Sequence, residues 1–117
     1  MRHVVNDSDA HENKPLSEPV FLILTSLANQ PRHGYALLQD IQQMSNERVR
    51  LSTGTLYGAL RRLLEDGSIE RFRQEDTSRD KQAYKLTLEG RRQLQLEVDR
   101  MKHLARIAIA RMRGSEA

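Results

Sequence analysis

The stretch LSTGTLYGALRRLLEDG, residues 51–67, decides how this chain folds. Its apolar residues recur every three or four positions, which predicts an amphipathic helix. Ser52 suits the N-cap, and Gly67 suits the left-handed residue that ends a helix. We therefore expect a helix that begins after Ser52 and ends before Gly67. Its buried stripe consists of Leu56, Ala59, Leu60, Leu63 and Leu64.

The opposite side of this helix contains two glycines, four residues apart. At roughly 100° per residue it presents Gly54, Gly58, Arg61 and Glu65, flanked by Tyr57 and Arg62. A glycine inside a helix costs about 1 kcal/mol relative to alanine. Close approach of another backbone is the simplest compensation, so we expect this face to contact a partner.

Two further helices are predicted before this segment. Ser17 caps the first, with Pro19 in its opening turn. The apolar run over residues 20–24 indicates burial nearly all round. The second helix covers about residues 33–45. Its apolar face consists of Leu37, Leu38, Ile41 and Met44.

After Gly67 the pattern changes from helical to alternating. Residues 68–73 and 82–86 alternate apolar and polar side chains, which predicts two short strands. The polar and charged residues 74–81 between them are typical of a hairpin tip.

The last predicted helix runs from Leu88 to Met112, with Thr87 as its cap. At a rise of 1.5 Å per residue it is roughly 35–40 Å long. Apolar residues at alternating spacings of four and three form an a/d seam. The domain that precedes this helix is too small to bury the whole apolar seam, so we expect a homodimer in which the two seams pair. The predicted interface consists of Leu94, Val98, Met101, Leu104, Ala105, Ala108 and Met112.

Composition limits the class of protein. The chain has 117 residues, of which 38 % are hydrophobic and 30 % charged, as expected for one domain with a small core. It contains no cysteine, which excludes disulfides and thiolate metal sites. No apolar run is long enough to cross a bilayer, and we expect a cytoplasmic protein. The sequence offers no metal-ligand spacing, phosphate loop or nucleophile elbow, so we expect no cofactor, no metal and no enzymatic activity.

The order helix, helix, helix, hairpin, helix predicts a mainly α fold with a small β-hairpin. This is the order of a winged helix-turn-helix with a long C-terminal dimerisation helix. We interpret residues 1–15 as a disordered arm, 16–87 as the winged helix-turn-helix, and 88–117 as the dimerisation helix with a short tail.

The charge distribution indicates a polyanionic partner. The net charge is +3, and the basic excess lies mainly in residues 48–92. The major groove of B-DNA, roughly 12 Å wide, admits one helix. Hydroxyls and amides at a helix start can meet phosphates, and guanidinium groups can reach phosphates or guanine edges. The predicted DNA-binding residues are Ser52, Thr53, Gly54, Thr55, Tyr57, Gly58, Arg61, Arg62, Arg79 and Lys81.

Three motifs, in this order, resemble the PadR family of bacterial transcriptional regulators. They are His33-Gly34-Tyr35, the run from Ser52 through Tyr57 to Ile69, and Tyr84-x-Leu86-Thr87-x-x-Gly90. The likeness covers roughly residues 16–112 and is to the smaller subfamily with a single C-terminal helix. It implies a DNA-binding transcriptional regulator, which we expect to be a repressor. The two-fold symmetry of the homodimer predicted from the seam favours a near-palindromic operator. There are three departures: Gly58, where the family often has proline; Ala83, where it commonly has a second tyrosine; and Lys81 followed by Gln82, where it has a basic pair in the wing.

Two questions stay open at this point. The alternative function is a winged helix whose tail recruits another protein. DNA binding weakens steeply with salt, whereas a hydrophobic contact of that kind hardly changes. A small-molecule effector is also left open. Because no aromatic residue follows Tyr84, we expect no aromatic-stacking pocket between paired C-terminal helices.

Overall fold

The computed structural model describes residues 14–73 and 82–116. Its helices are α1 (Glu18–Ser26), α2 (Gly34–Met44), α3 (Thr53–Glu65) and α4 (Leu88–Glu116). Its strands are β1 (Arg32–His33), β2 (Ile69–Arg73) and β3 (Gln82–Leu86). The predicted mainly helical fold with a small β element is therefore confirmed. Most of the predicted N-terminal arm, residues 1–13, lies outside the described residues, and the domain division stays a prediction.

Side-chain caps start three of the helices where the sequence predicts. Ser17 Oγ accepts a hydrogen bond from the Val20 amide at 3.3 Å, and Ser52 Oγ accepts one from the Thr55 amide at 3.1 Å. Thr87 Oγ1 accepts one from the Gly90 amide at 3.0 Å. Each bond satisfies an amide that has no acceptor inside its own helix.

The core lies where α1, α2 and α3 meet the sheet. Ile23 and Leu24 of α1 are completely buried, which agrees with the apolar character of this helix on nearly all sides. The apolar stripe of α3 closes the core from the other side. The remaining core residues are Leu27, Leu37, Ile41, Leu56, Ala59, Leu60, Leu63, Ile69 and Tyr84.

A third strand, β1, joins the predicted hairpin in an antiparallel sheet of order β1-β3-β2. It is only two residues long, so alternation could not reveal it. Arg32 in β1 and Arg71 in β2 both pair with Tyr84 in β3. Phe72 lies on the sheet face opposite Ile69, beneath the Lys85 ammonium at 5.4 Å, and is not part of the core.

The turn after α3 is clamped to the start of α4. Gly67 has a φ of 76°, the left-handed conformation predicted for the residue ending this helix. Thr87 Oγ1 donates to the Gly67 carbonyl at 2.6 Å, and the Thr87 amide donates to the Ser68 carbonyl at 3.2 Å. Ser68 is completely buried and donates from its hydroxyl to Gln93 Oε1 at 2.8 Å. These bonds set the direction in which α4 leaves the winged domain.

Helix α4 extends well past the body. Its 29 residues correspond to about 43 Å. Leu94 packs against the core, but residues 101–114 are all exposed on this chain. Met101, Leu104 and Met112 are among the exposed large apolar side chains. No helix in the described part of the chain is long and apolar enough to cross a membrane.

A buried carboxylate ties α4 to the segment before α1. Glu97 is only 7 % exposed. The Arg100 guanidinium donates two hydrogen bonds to it, from Nε at 3.1 Å and from Nη2. These bonds, helped by one from the Leu16 backbone amide, hold the pKa of Glu97 below its usual range, against the opposing effect of burial. The carboxylate therefore contributes to stability in its ionised form.

We expect Glu97→Gln to lower the free energy of unfolding by about 1–2 kcal/mol at pH 7, because a bonded charge is lost. A lowered folded-state pKa stabilises the fold above the unfolded value of about 4.3, and this contribution is lost as the pH falls through the folded value. Urea unfolding at pH 7 and at pH 3.5, at one protein concentration, measures the difference. The exposed neighbour change Glu65→Gln is the control. An equal deficit at both pH values would contradict the role given to this carboxylate.

Candidate DNA-binding surface

The outer face of α3 is open along its length. Its inner residues are buried in the core, whereas Tyr57 on the outer side is 46 % exposed. A β-carbon added at Gly58 would meet no described heavy atom within 4 Å. One added at Gly54 would meet only Ser52 Oγ, at 4.0 Å. The two glycines thus expose helix backbone on the side away from the core, where another molecule can approach it closely.

Hydroxyl groups cluster at the N-terminus of α3. Ser52 Oγ donates to Thr55 Oγ1 at 3.0 Å while accepting from the Thr55 amide. Thr53 and Thr55 are exposed beside it. The first amides of a helix have no acceptors within it and carry the positive end of its dipole. This corner therefore presents donors to an anion such as a phosphate.

The two arginines of α3 lie in different surroundings. Arg61 is exposed in the sector of the glycines and forms no ion pair with any residue of 14–73 or 82–116. Arg62 is also exposed but lines a groove of about 510 Å³ between α3, α4 and the start of α1. Helical spacing placed Arg61 in the sector of the glycines and Arg62 on its flank, and predicted a DNA contact for both. The fold assigns Arg61 to the open face and Arg62 to the groove.

Arg71 of β2 is a further cation near this surface that the sequence analysis did not single out. It is exposed and pairs with Tyr84 on the neighbouring strand β3. Burial raises the pKa of Tyr84, nearby Tyr57 adds to the rise, and the positive charge of Arg71 opposes it. Tyr57 and Arg71 therefore both lie near the Tyr84 hydroxyl. The alternation of β2 could have assigned Arg71 to this face, but not its proximity to α3.

Two predicted contacts, Arg79 and Lys81, lie outside the described residues. Within the described chain, the candidate surface comprises the cap and first turn of α3, its outer glycines, Tyr57 and Arg61, with Arg71 at the edge. It combines exposed backbone, hydroxyl donors and cations, and the titratable groups on it are not arranged as an acid–base pair. Such a surface is suited to contact a polyanion.

Comparison with known proteins supports this architecture. A 37.1 kDa protein from a transposon of Streptomyces fradiae is 37 % identical over 84 residues, which cover 72 % of this chain. The chain spans only about a quarter of that relative, 23 % of its length. A PadR family transcription regulator from Clostridium difficile has 22 % identity and a TM-score of 0.69, covering 82 % of this chain and 99 % of that one.

A second solved structure is Bacillus subtilis PadR in complex with operator DNA. It has 22 % identity and a TM-score of 0.61, and the match covers 70 % of this chain and 46 % of that one. At such identities the two structures show a common fold. The family model for PadR-like transcriptional regulators matches residues 23–96, well over half of the sequence. This match includes the whole sheet, α2, α3 and the first nine residues of α4, and the chain therefore belongs to the PadR-like family of transcriptional regulators.

Proposed function

We propose that this protein is a sequence-specific DNA-binding repressor that binds a near-palindromic operator as a homodimer. The observation that carries the proposal is the open outer face of α3, where two glycines expose the backbone beside Arg61, an exposed arginine that forms no ion pair within residues 14–73 and 82–116. Small residues on such a face let a helix lie deep in the major groove, where neighbouring side chains reach the base edges.

The groups around that face have complementary roles in this proposal. The hydroxyls and amides at the α3 N-terminus hold phosphates and so set the register on DNA. Arg61 reaches a base edge or a phosphate, and Arg71 neutralises the backbone next to the groove. Arg62 stands further from this face, so we assign it a smaller share of the contacts. Arg79 and Lys81 remain proposed wing contacts on the strength of the sequence.

The DNA complex of the Bacillus subtilis relative supports this assignment. That protein was solved bound to operator DNA, and it shares the fold of the present chain at a TM-score of 0.61. Since family members are transcriptional regulators, DNA is the partner most consistent with the exposed α3 face. We expect the protein to act in the cytoplasm, where bacterial operator DNA lies.

The exposed apolar stripe of α4 supports the homodimer. Leu104 and Met112 are 49 % and 59 % exposed on a helix that extends beyond its own domain. Pairing this stripe with a second copy buries it and relates two α3 helices by two-fold symmetry. The half-sites should then lie about 34 Å apart, and the operator should be near-palindromic. A dimer bound across a promoter blocks transcription, which is the repressor role we propose.

The most direct test is selection of bound fragments from random DNA with the purified protein. We expect a two-fold symmetric site with half-sites one helical turn apart. Affinity should fall steeply with salt, by roughly one counterion for each phosphate contacted. Absence of any salt-dependent DNA binding would refute the proposal. That result would favour a protein partner that binds the apolar stripe of α4, because the affinity of such a hydrophobic contact hardly changes with salt concentration.

Arg61→Ala is expected to weaken operator binding without unfolding the protein. Loss of a bidentate base contact costs about 1–3 kcal/mol, or roughly a five- to 150-fold rise in Kd. Titration against the selected operator measures the change, and thermal unfolding checks the fold. Arg106→Ala removes an exposed arginine from the outward side of α4 and is the control. Wild-type operator affinity in the Arg61→Ala variant would show that this residue is not part of the DNA interface.

A further inference from the structure

The ring of Tyr57 lies directly against Gly34, the first residue of α2. A β-carbon added at Gly34 would lie 2.8 Å from Tyr57 Cζ and closer still to the hydroxyl oxygen. Non-bonded carbons approach to about 3.5–4.0 Å, so this space is already filled by the phenol. Gly34 is itself buried and begins α2 with helical backbone, so its left-handed freedom is not what the position requires. The missing side chain at Gly34 is what makes room for the ring.

Tyr57 also lies near the sheet. Tyr57 is close enough to Tyr84 of β3 to contribute to the raised pKa of that hydroxyl, and Tyr84 is only 7 % exposed. The Tyr57 ring therefore packs against the first residue of α2, with β3 nearby. A ring placed in this way loses little further conformational entropy when it binds a ligand.

The polar end of the ring lies beside Gly34 but makes no hydrogen bond to the described part of the chain. The Tyr57 hydroxyl has no hydrogen-bond partner among residues 14–73 and 82–116. The residue is 46 % exposed, so a ligand can approach it. A tyrosine hydroxyl usually finds a partner, because it combines a donor with an apolar body. By contrast, the exposed Tyr35 hydroxyl accepts a hydrogen bond from Gln39 at 3.3 Å. A fixed ring with a free donor, on the face proposed to meet DNA, is suited to a phosphate oxygen.

We propose that Gly34 is a positioning residue for DNA binding, because the space left by its missing side chain holds the Tyr57 ring with its hydroxyl directed to a phosphate of the operator. This inference rests on the proposed function and adds a specific role to a residue that itself touches no DNA. Any side chain at Gly34 displaces the phenol, since the three nearest atoms all belong to the Tyr57 side chain, which is the group that can move.

The proposal is tested by operator titration of four proteins: wild type, Gly34→Ala, Tyr57→Ala and the double variant. Tyr57→Ala should raise Kd by roughly three- to ten-fold, the range for one lost hydrogen bond. Gly34→Ala should raise it at least as much. In the Tyr57→Ala background, Gly34→Ala should change Kd by less than about two-fold, because no ring is left to displace. Gly114→Ala, where an added β-carbon meets nothing within 4 Å, is the matched control.

A readout without DNA separates the position of the ring from DNA binding. The chain has three tyrosines, so selectively labelled tyrosine rings give few NMR signals. In Gly34→Ala the Tyr57 ring signals should shift most, and those of Tyr35 should stay unchanged. If Gly34→Ala fails to fold, folding of the double variant supports the steric link to Tyr57, and failure of both variants overturns it.

The remaining outcomes are also decisive. Wild-type affinity in Gly34→Ala, or an equal loss in both backgrounds, overturns the positioning role while the proposed function stands. If the wild-type protein binds no DNA, the proposed function fails and the phosphate contact fails with it. Unshifted Tyr57 signals in Gly34→Ala would overturn the placement of the ring whatever the DNA result.

Discussion

Replacing Gly90 with alanine should lower the free energy of unfolding by about 3 kcal/mol, at the upper end of the range for overpacked sites. The added β-carbon would lie 2.8 Å from Leu86 Cδ1 and 3.0 Å from the carbonyl carbon of Ser68, and closer still to the Ser68 oxygen. The Ser68 carbonyl cannot move away, because it also accepts the hydrogen bond from the Thr87 amide. Relief therefore requires α4 itself to shift.

Thermal unfolding at one protein concentration measures this effect, since dimerisation makes the midpoint depend on concentration. A change of this size corresponds to a drop of roughly 12–20 °C for a domain of about 100 residues. Gly114→Ala is the control, because a β-carbon there meets open space and alanine favours the helix. A Gly90→Ala midpoint within about 2 °C of wild type would show that the turn and α4 are not in rigid contact.

Leu104→Glu should abolish the dimer while leaving each chain folded. Leu104 is 49 % exposed on a single chain, so a charge there costs the monomer little. In the proposed dimer the same position is apolar and buried, and an unpaired carboxylate there is strongly unfavourable. Sedimentation should show a monomer, and circular dichroism should show the wild-type helix content.

The same variant should bind the operator far more weakly. A dimer gains roughly 10²- to 10⁴-fold in affinity from engaging two linked half-sites, and a monomer loses that gain. His103→Glu introduces the same charge at an exposed position of α4 outside the predicted seam, and it should leave assembly and affinity unchanged. A stable Leu104→Glu dimer would show that the stripe of α4 is not the homodimer interface.

Local signals in the sequence were enough for the helices and the hairpin. Ser17, Ser52 and Thr87 cap their helices as predicted, since a cap bonds to an amide only three residues away. The helical spacing of leucines in α3 and the left-handed conformation of Gly67 also depend on interactions between residues that are close in sequence. The outer face of α3 followed from the same periodicity, so most of the candidate surface was visible in the sequence.

The tertiary structure decided the relations between elements. It alone shows that β1 completes the sheet, that Arg61 and Arg62 face different surroundings, and that Arg71 and Tyr57 both lie near Tyr84. Those facts depend on how far each element is rotated and shifted when it packs, which no periodicity records. The contact between Gly34 and Tyr57 is the clearest case. The residues are distant in sequence, and only the crossing of α2 and α3 over a shared core brings the ring into the space that glycine leaves.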